Sequence, residues 1–369
     1  MMSRGRIGVV LTILGMVIAV MGTAAWAVTA AIFEPAMSSF FHSWADEGGV
    51  NYGRFGSDDM EGLFGFVKDL RWAAIALAVA GVMLLLDGSR WRGRLLAATA
   101  MGWFGVDLTL DRLDITGWTS AVVAGVAVAA GLGLVVLVGR RHDEGPPEYR
   151  PTTIVYSGAL IGLAGLLAPG YVGDIAPHVP AGPVGTAEAV AAALAFAAVI
   201  GVATAVAPPS RARLIVTAVV APLAAVGGFV NVRLIDGLSA YGSSQLRYIG
   251  LFGLLPVALA ALAGALHRRR LIALAVGVVS APVTGFFCMA MVVFLGVLGV
   301  VVMTATGDAP GQITDLAFGG LAGGAVCGGI ALLIREVSRV DRPAEPDPDR
   351  PPPDPHPLQP SPIPFLPMS

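Results

Sequence analysis

The chain has 369 residues, of which 56% are hydrophobic and 13% charged, and its net charge is −2. Mean hydropathy is +0.77. Soluble domains carry about 25% charged residues, so an ordinary globular domain is excluded and the chain falls in the membrane class. Nucleic-acid binding has no support, because the arginines flank apolar runs and form no basic stripe. Lys68 is the one lysine against 22 arginines, and Ala, Gly and Val dominate, as expected of a high-GC bacterial genome.

The N-terminus is short and basic (residues 1–6, with Arg4 and Arg6), and an apolar run follows from Ile7 to Phe33. Ala25-Trp26-Ala27 resembles the A-x-A cleavage site of a secretory signal peptide. The apolar run continues past it, which favours an uncleaved signal anchor forming the first span. Residues 34–69 read as the long outward loop. It is acidic (Glu34, Asp46, Glu47, Asp58, Asp59, Glu61, Asp69) and aromatic (Phe40, Phe41, Trp44, Tyr52, Phe55, Phe64, Phe66). Asp58 and Glu61 have capping-box spacing, so a helix is expected to start there and run into the second span. The aromatics suit a segment resting on the membrane interface or docking a partner.

The second span is Trp72–Leu86, closed by Arg90, Arg92 and Arg94. The third starts at Leu95 and meets charge early, at Asp107. The fourth is Trp118–Val138, ending at Arg140 and Arg141. The fifth, Thr152–Ala168, stops at Pro169-Gly170. An irregular external loop, 169–186, with Asp174, His178 and three further prolines, leads to the sixth, about Glu188–Ala207. Spans seven (Leu214–Val232) and eight (Ile249–Leu266) make a helical hairpin with arginines at both ends: Arg211 and Arg213, then Arg268, Arg269 and Arg270. Span nine, within Leu271–Gly307, has no formal charge and reads as one long helix, tilted or broken near Pro282. Span ten is Ile313–Ile334, where Gly320 and Gly324 form a small-xxx-small face for helix packing.

The expected fold class is therefore all-α: a polytopic transmembrane helix bundle over residues 7–334, about ten spans arranged as five hairpins, with both termini cytoplasmic. Seventeen of the 23 basic residues then lie in cytoplasmic segments, and six (Arg54, Lys68, Arg71, Arg112, Arg233, Arg247) lie outside. That asymmetry sets the orientation and points to the plasma membrane. Similar openings, Arg-Gly-Arg before spans one and three and Arg-Leu-Ile before seven and nine, fit duplicated hairpins as well as simple convergence. Residues 335–369 form a charged, then proline-rich tail: 12 of the 26 prolines lie between Pro343 and Pro367. Such a composition is expected to be disordered, as a spacer or a recruitment segment.

Ionisable residues inside the hydrocarbon are functional candidates, because burying charge there is costly. Asp107 lies about 20 Å above Arg94 along a helix. Asp111 and Asp114 follow at i+4 and i+7, which places three carboxylates on one face if the helix persists. That face suits a cation or a proton; alternatively, the helix ends early and the acids pair with Arg112, Arg233 or Arg247. Asn231, Arg233 and Asp236 fall near the same level at the outer end of span seven. Pro222, Pro256 and Pro282 are candidate helix breaks of the kind that line transporter sites.

The five histidines (His42, His142, His178, His267, His356) are scattered, and no HExxH, CxxC, G-x-S-x-G or Walker pattern occurs. No metal, cofactor or nucleophile–base pair is indicated. Cys288 and Cys327 sit at different depths, about 27 Å and 12 Å from their arginine anchors, and should not pair. The leading functional reading is a non-enzymatic, transporter-like membrane protein with an outward-facing acidic site. The alternative is an accessory or scaffold subunit recruiting a protein partner through residues 343–369 or 34–69. A membrane enzyme acting on a lipid-linked substrate ranks third.

Overall fold

The apolar runs that the structure describes form helices. The structure is a computed structural model that describes residues 4–36, 57–86, 90–112, 116–141, 151–167 and 181–205, parts of 215–225 and 320–332, and Phe294. Among the described residues there is no strand. Helix α1 (Arg4–Val28) continues through a π-turn, Thr29–Phe33. It is followed by α2 (Ser57–Leu86), α3 (Arg90–Arg112), α4 (Trp118–Arg141), α5 (Pro151–Leu167) and α6 (Ala181–Ala205). A further apolar helix covers Gly320–Ile330.

Among the described residues, four helical stretches are long and apolar enough to cross a membrane: Val9–Ala36, Val67–Leu86, Trp118–Gly139 and Gly182–Ala205. The shortest has 20 residues, which at 1.5 Å per residue covers about 30 Å, the thickness of the hydrocarbon layer. These helices are compatible with a membrane protein. Of the ten expected spans, four are seen at full length. Helix α3 is not among them, because its uncharged stretch, residues 95–106, is only about 18 Å long between Arg94 and Asp107. Span eight, span nine apart from Phe294, and more than half of span seven lie outside the described residues, as does the tail, 335–369.

Two boundaries differ from the sequence reading. The stretch 34–69 does not open as a loop, because Glu34–Ala36 continue the first helix, whereas α2 starts at Ser57, beside Asp58, as the acid spacing leads one to expect. Helix α6 starts at Ala181 rather than near Glu188. Pro183 explains this, since a proline in the first turn lacks only an N–H that has no helical partner anyway. Helix α1 passes through Ala25-Trp26-Ala27 unbroken.

Helix α2 is the hub and packs against all five other helices. Its apolar stretch is 83% buried, as expected of a helix that is apolar on every face. One face (Leu70, Ala73, Ala76, Leu77, Ala80) joins Leu160, Leu163, Ala191 and Leu194 of α5 and α6. The other (Ala74, Ile75, Ala78, Val79, Val82) joins Trp26 of α1, Trp103 of α3 and Leu132 of α4. Helices α1 and α4 lie at the periphery and turn large apolar side chains outward: Val9, Ile13, Met16 and Val20 on α1, and Val122, Val126, Leu134 and Leu137 on α4.

Small residues let α1 and α2 approach closely. A Cβ added to Gly22 would lie 2.7 Å from Ala74 O, and one added to Gly81 would lie 2.6 Å from Gly15 O. Backbone thus faces backbone along Gly15, Ala19 and Gly22, with the large side chains turned outward. This arrangement inverts a soluble amphipathic helix and is the membrane pattern. Gly158 and Gly162 of α5 make a second such seam with Gly320, Gly324 and Gly328, where a Cβ on Gly324 would lie 2.9 Å from Ala159 Cα.

Candidate functional site: a buried acid–arginine network

One end of the bundle collects the end of α1, the first turns of the apolar part of α2, the end of α3 and the start of α4. Charged groups converge there inside the bundle. The Asp107 and Arg71 side chains are each 3% exposed. Arg71 donates from Nε to Asp107 Oδ1 at 3.0 Å, and from Nη2 to Oδ1 at 2.8 Å and to the Asp107 carbonyl at 3.1 Å. Its Nη1 donates to Glu34 Oε2. Trp26 Nε1 donates to Asp107 Oδ1 at 2.5 Å. Four side chains from three helices therefore form one charge-assisted network.

The surroundings keep it dry. Trp26 is fully buried and meets Trp103, one turn before Asp107 on α3, edge to face with centroids 5.4 Å apart. On the other side Trp72, next to Arg71, stacks at a tilt on Phe104 with centroids 4.4 Å apart. Trp103 Nε1 is buried without a hydrogen-bond partner. Glu34 is the most accessible member, its side chain 18% exposed, so the network runs from a rim carboxylate through one guanidinium to an interior carboxylate. In this low-dielectric setting each charge is tolerable only because it is paired.

The local backbone explains how Glu34 reaches Arg71. Eight α-helical steps from Trp26 turn the chain about 800°, which would set Glu34 about 80° past Trp26. The π-turn, with about 4.4 residues per turn, takes back about 90° over its five residues and returns Glu34 to the Trp26 face. Its register is marked by the Glu34 N–H donating to Thr29 O. Pro35 follows directly. A proline offers no N–H to the carbonyl four residues earlier and crowds it. That carbonyl is Ala31 O, which accepts from the Gly117 N–H at 2.6 Å. Gly117 has φ +93°, a conformation that a residue with a Cβ rarely adopts; it aims its N–H at α1 just before α4 begins.

Of the residues singled out from the sequence, Asp107 is in this network. Asp111 and Arg112 are in the last turn of α3, but their side chains, and Asp114 altogether, lie outside the described residues, as do Asn231, Arg233, Asp236, Pro256 and Pro282. Pro222 is helical and exposed. Gly320 and Gly324 pack on Gly162 and Gly158. Sequence reasoning missed Arg71, Glu34 and Trp26. By sequence Arg71 falls among the six basic residues outside the membrane and has no role in the site. The available signal was a basic residue and an acid, Arg71 and Asp107, each at the outer edge of a neighbouring span. Among the described residues no group of three or more His, Cys, Asp or Glu could hold a metal ion.

The long apolar helices, with a buried polar network among them, are compatible with a membrane protein. Compared with known proteins, the chain matches no family model, no curated protein and no solved structure.

Proposed function

We propose that the chain is a non-enzymatic, transporter-like protein of the plasma membrane, about ten spans in five hairpins with both termini cytoplasmic, and that the network around Asp107 is its outward-facing site for a proton or a monovalent cation. The observation that carries this reading is the buried Asp107–Arg71 pair, both side chains 3% exposed, held between α3 and two helices, α1 and α2, whose apolar stretches are long enough to cross a bilayer. Ionised groups at such depth are costly to fold around and are characteristic of ion and substrate pathways. Glu34 at the rim extends the pair toward the outer face in the orientation set by the arginines. Asp111, Asp114, Arg112, Asn231, Arg233 and Asp236 are proposed to line the approach, and Pro222, Pro256 and Pro282 to break the helices around it.

The test is flux through the full chain reconstituted in liposomes, with a lumenal pH- or cation-sensitive dye and an imposed proton, sodium or potassium gradient. Flux that is lost in Asp107→Asn and kept after truncation beyond Arg342 supports the reading. Flux that persists in Asp107→Asn overturns it. So does the absence of flux together with a stoichiometric protein partner, seen by native mass spectrometry and lost with the tail; that result would establish the scaffold role instead.

A further inference from the structure

We infer that Pro35 is a positioning residue for this network: by holding the π-turn at Thr29–Phe33 it rotates Glu34 onto Arg71. Three observations meet at this point. The helix widens over Thr29–Phe33 immediately before the proline. The carbonyl that a proline at position 35 would crowd and leave without its α-helical donor, Ala31 O, is bonded by the Gly117 N–H from another helix. Glu34, one residue before the proline, reaches Nη1 of Arg71, which an unbroken α-helix would turn away from by about 90°. A π-turn is an α-turn with one extra residue looped in, and such turns cluster at functional sites because they re-aim side chains. Here the re-aimed side chain is the rim carboxylate.

The role follows for a site of any kind. It takes from the proposed function only that the network is the working site. In an all-α helix Arg71 would face Asp107 alone and the rim carboxylate would point elsewhere, so the network would lose its connection toward the outer surface. Pro35 acts on it through Glu34 without itself joining the network.

The register makes the test specific. In Pro35→Ala the helix is free to return to α geometry and carry Glu34 off Arg71. Deleting Ala30 as well leaves seven α-helical steps from Trp26 to Glu34, about 700°, which is within about 20° of two full turns. The deletion therefore puts Glu34 back on Arg71 with neither π-turn nor proline. The readout is the drop in the thermal unfolding midpoint caused by Glu34→Gln in each background, for the full chain in detergent. We expect a drop of a few degrees in the parent, none in Pro35→Ala, and a return of the drop in Pro35→Ala with Ala30 deleted. An equal drop in the parent and in Pro35→Ala overturns the inference, as does a deletion variant that stays insensitive. If Pro35→Ala does not fold, recovery of folded protein by the deletion carries the same result, and failure of both overturns it. Because this readout is stability, a silent liposome assay leaves the positioning role standing, and insensitivity here leaves the transport reading standing.

Discussion

Replacing Arg71 by Met removes the guanidinium that joins α1, α2 and α3 while keeping most of its aliphatic volume. Asp107 then loses donors at 3.0 and 2.8 Å to Oδ1 and one at 3.1 Å to its carbonyl. It keeps the Trp26 Nε1 donor. Charge-assisted hydrogen bonds contribute about 1.5–3 kcal/mol each, and removing one partner of a buried ion pair costs about 3–5 kcal/mol because the other charge stays uncompensated. With both side chains 3% exposed, solvent screening is small and the upper part of that range applies. Equilibrium unfolding of the full chain by SDS in mixed micelles, read by indole fluorescence, measures the loss. Arg71→Met with Asp107→Leu should regain at least about 2 kcal/mol, because it exchanges the pair for apolar packing. A single variant within about 1 kcal/mol of the parent, or a double variant no more stable than the single, would refute the claim that the network is dry and paired.

Gly22→Val should destabilise by about 1–3 kcal/mol, because the new Cβ meets backbone, Ala74 O at 2.7 Å and Ala78 Cα at 2.8 Å, which cannot move without separating α1 from α2. Gly131→Ala, in open space on α4, should be neutral or stabilising by up to about 1 kcal/mol through helix propensity; thermal unfolding in detergent compares the two. Tyr156→Phe removes the hydroxyl that donates to Ala76 O at 2.9 Å and should cost about 1 kcal/mol, with no change if that bond is not formed. Spin labels at Val126, 64% exposed, and Ala198, fully buried, should differ in lipid bilayers. The first should collide freely with dissolved oxygen but not with a water-soluble nickel chelate, and the second with neither; nickel access at Val126 would argue that α4 does not face lipid.

Legibility in the sequence followed the range of the physics involved. Helix type came through well, since a run such as Trp118–Val138 is long and apolar whatever it packs on, and the start of α2 near Asp58 followed from local acid spacing. Helix ends read less well where proline was the only cue: Pro183 sits inside the first turn of α6 and not in a loop. Asp107 stood out because it is the acid that ends the uncharged stretch 95–106, about 20 Å along the helix from Arg94. Its partner did not, because Arg71 borders an apolar stretch as any anchoring arginine does. Ala25-Trp26-Ala27 resembled a cleavage site while Trp26 serves as a buried donor to Asp107, a role that depends on a residue 81 positions away in the chain.

Composition and hydropathy by themselves determine that this chain forms long apolar helices suited to a bilayer, because transfer of side chains from water to hydrocarbon is close to additive along the sequence. Which faces of α1 and α2 touch and how Arg71 is shared between Glu34 and Asp107 were decided only in the tertiary structure. Those outcomes depend on backbone approach at Gly22 and Gly81 and on which carboxylates three helices bring to one guanidinium. Each is a relation between distant residues, and no local pattern encodes it; the rotation of about 90° before Pro35 has a local cause but gains its effect only from Arg71 opposite.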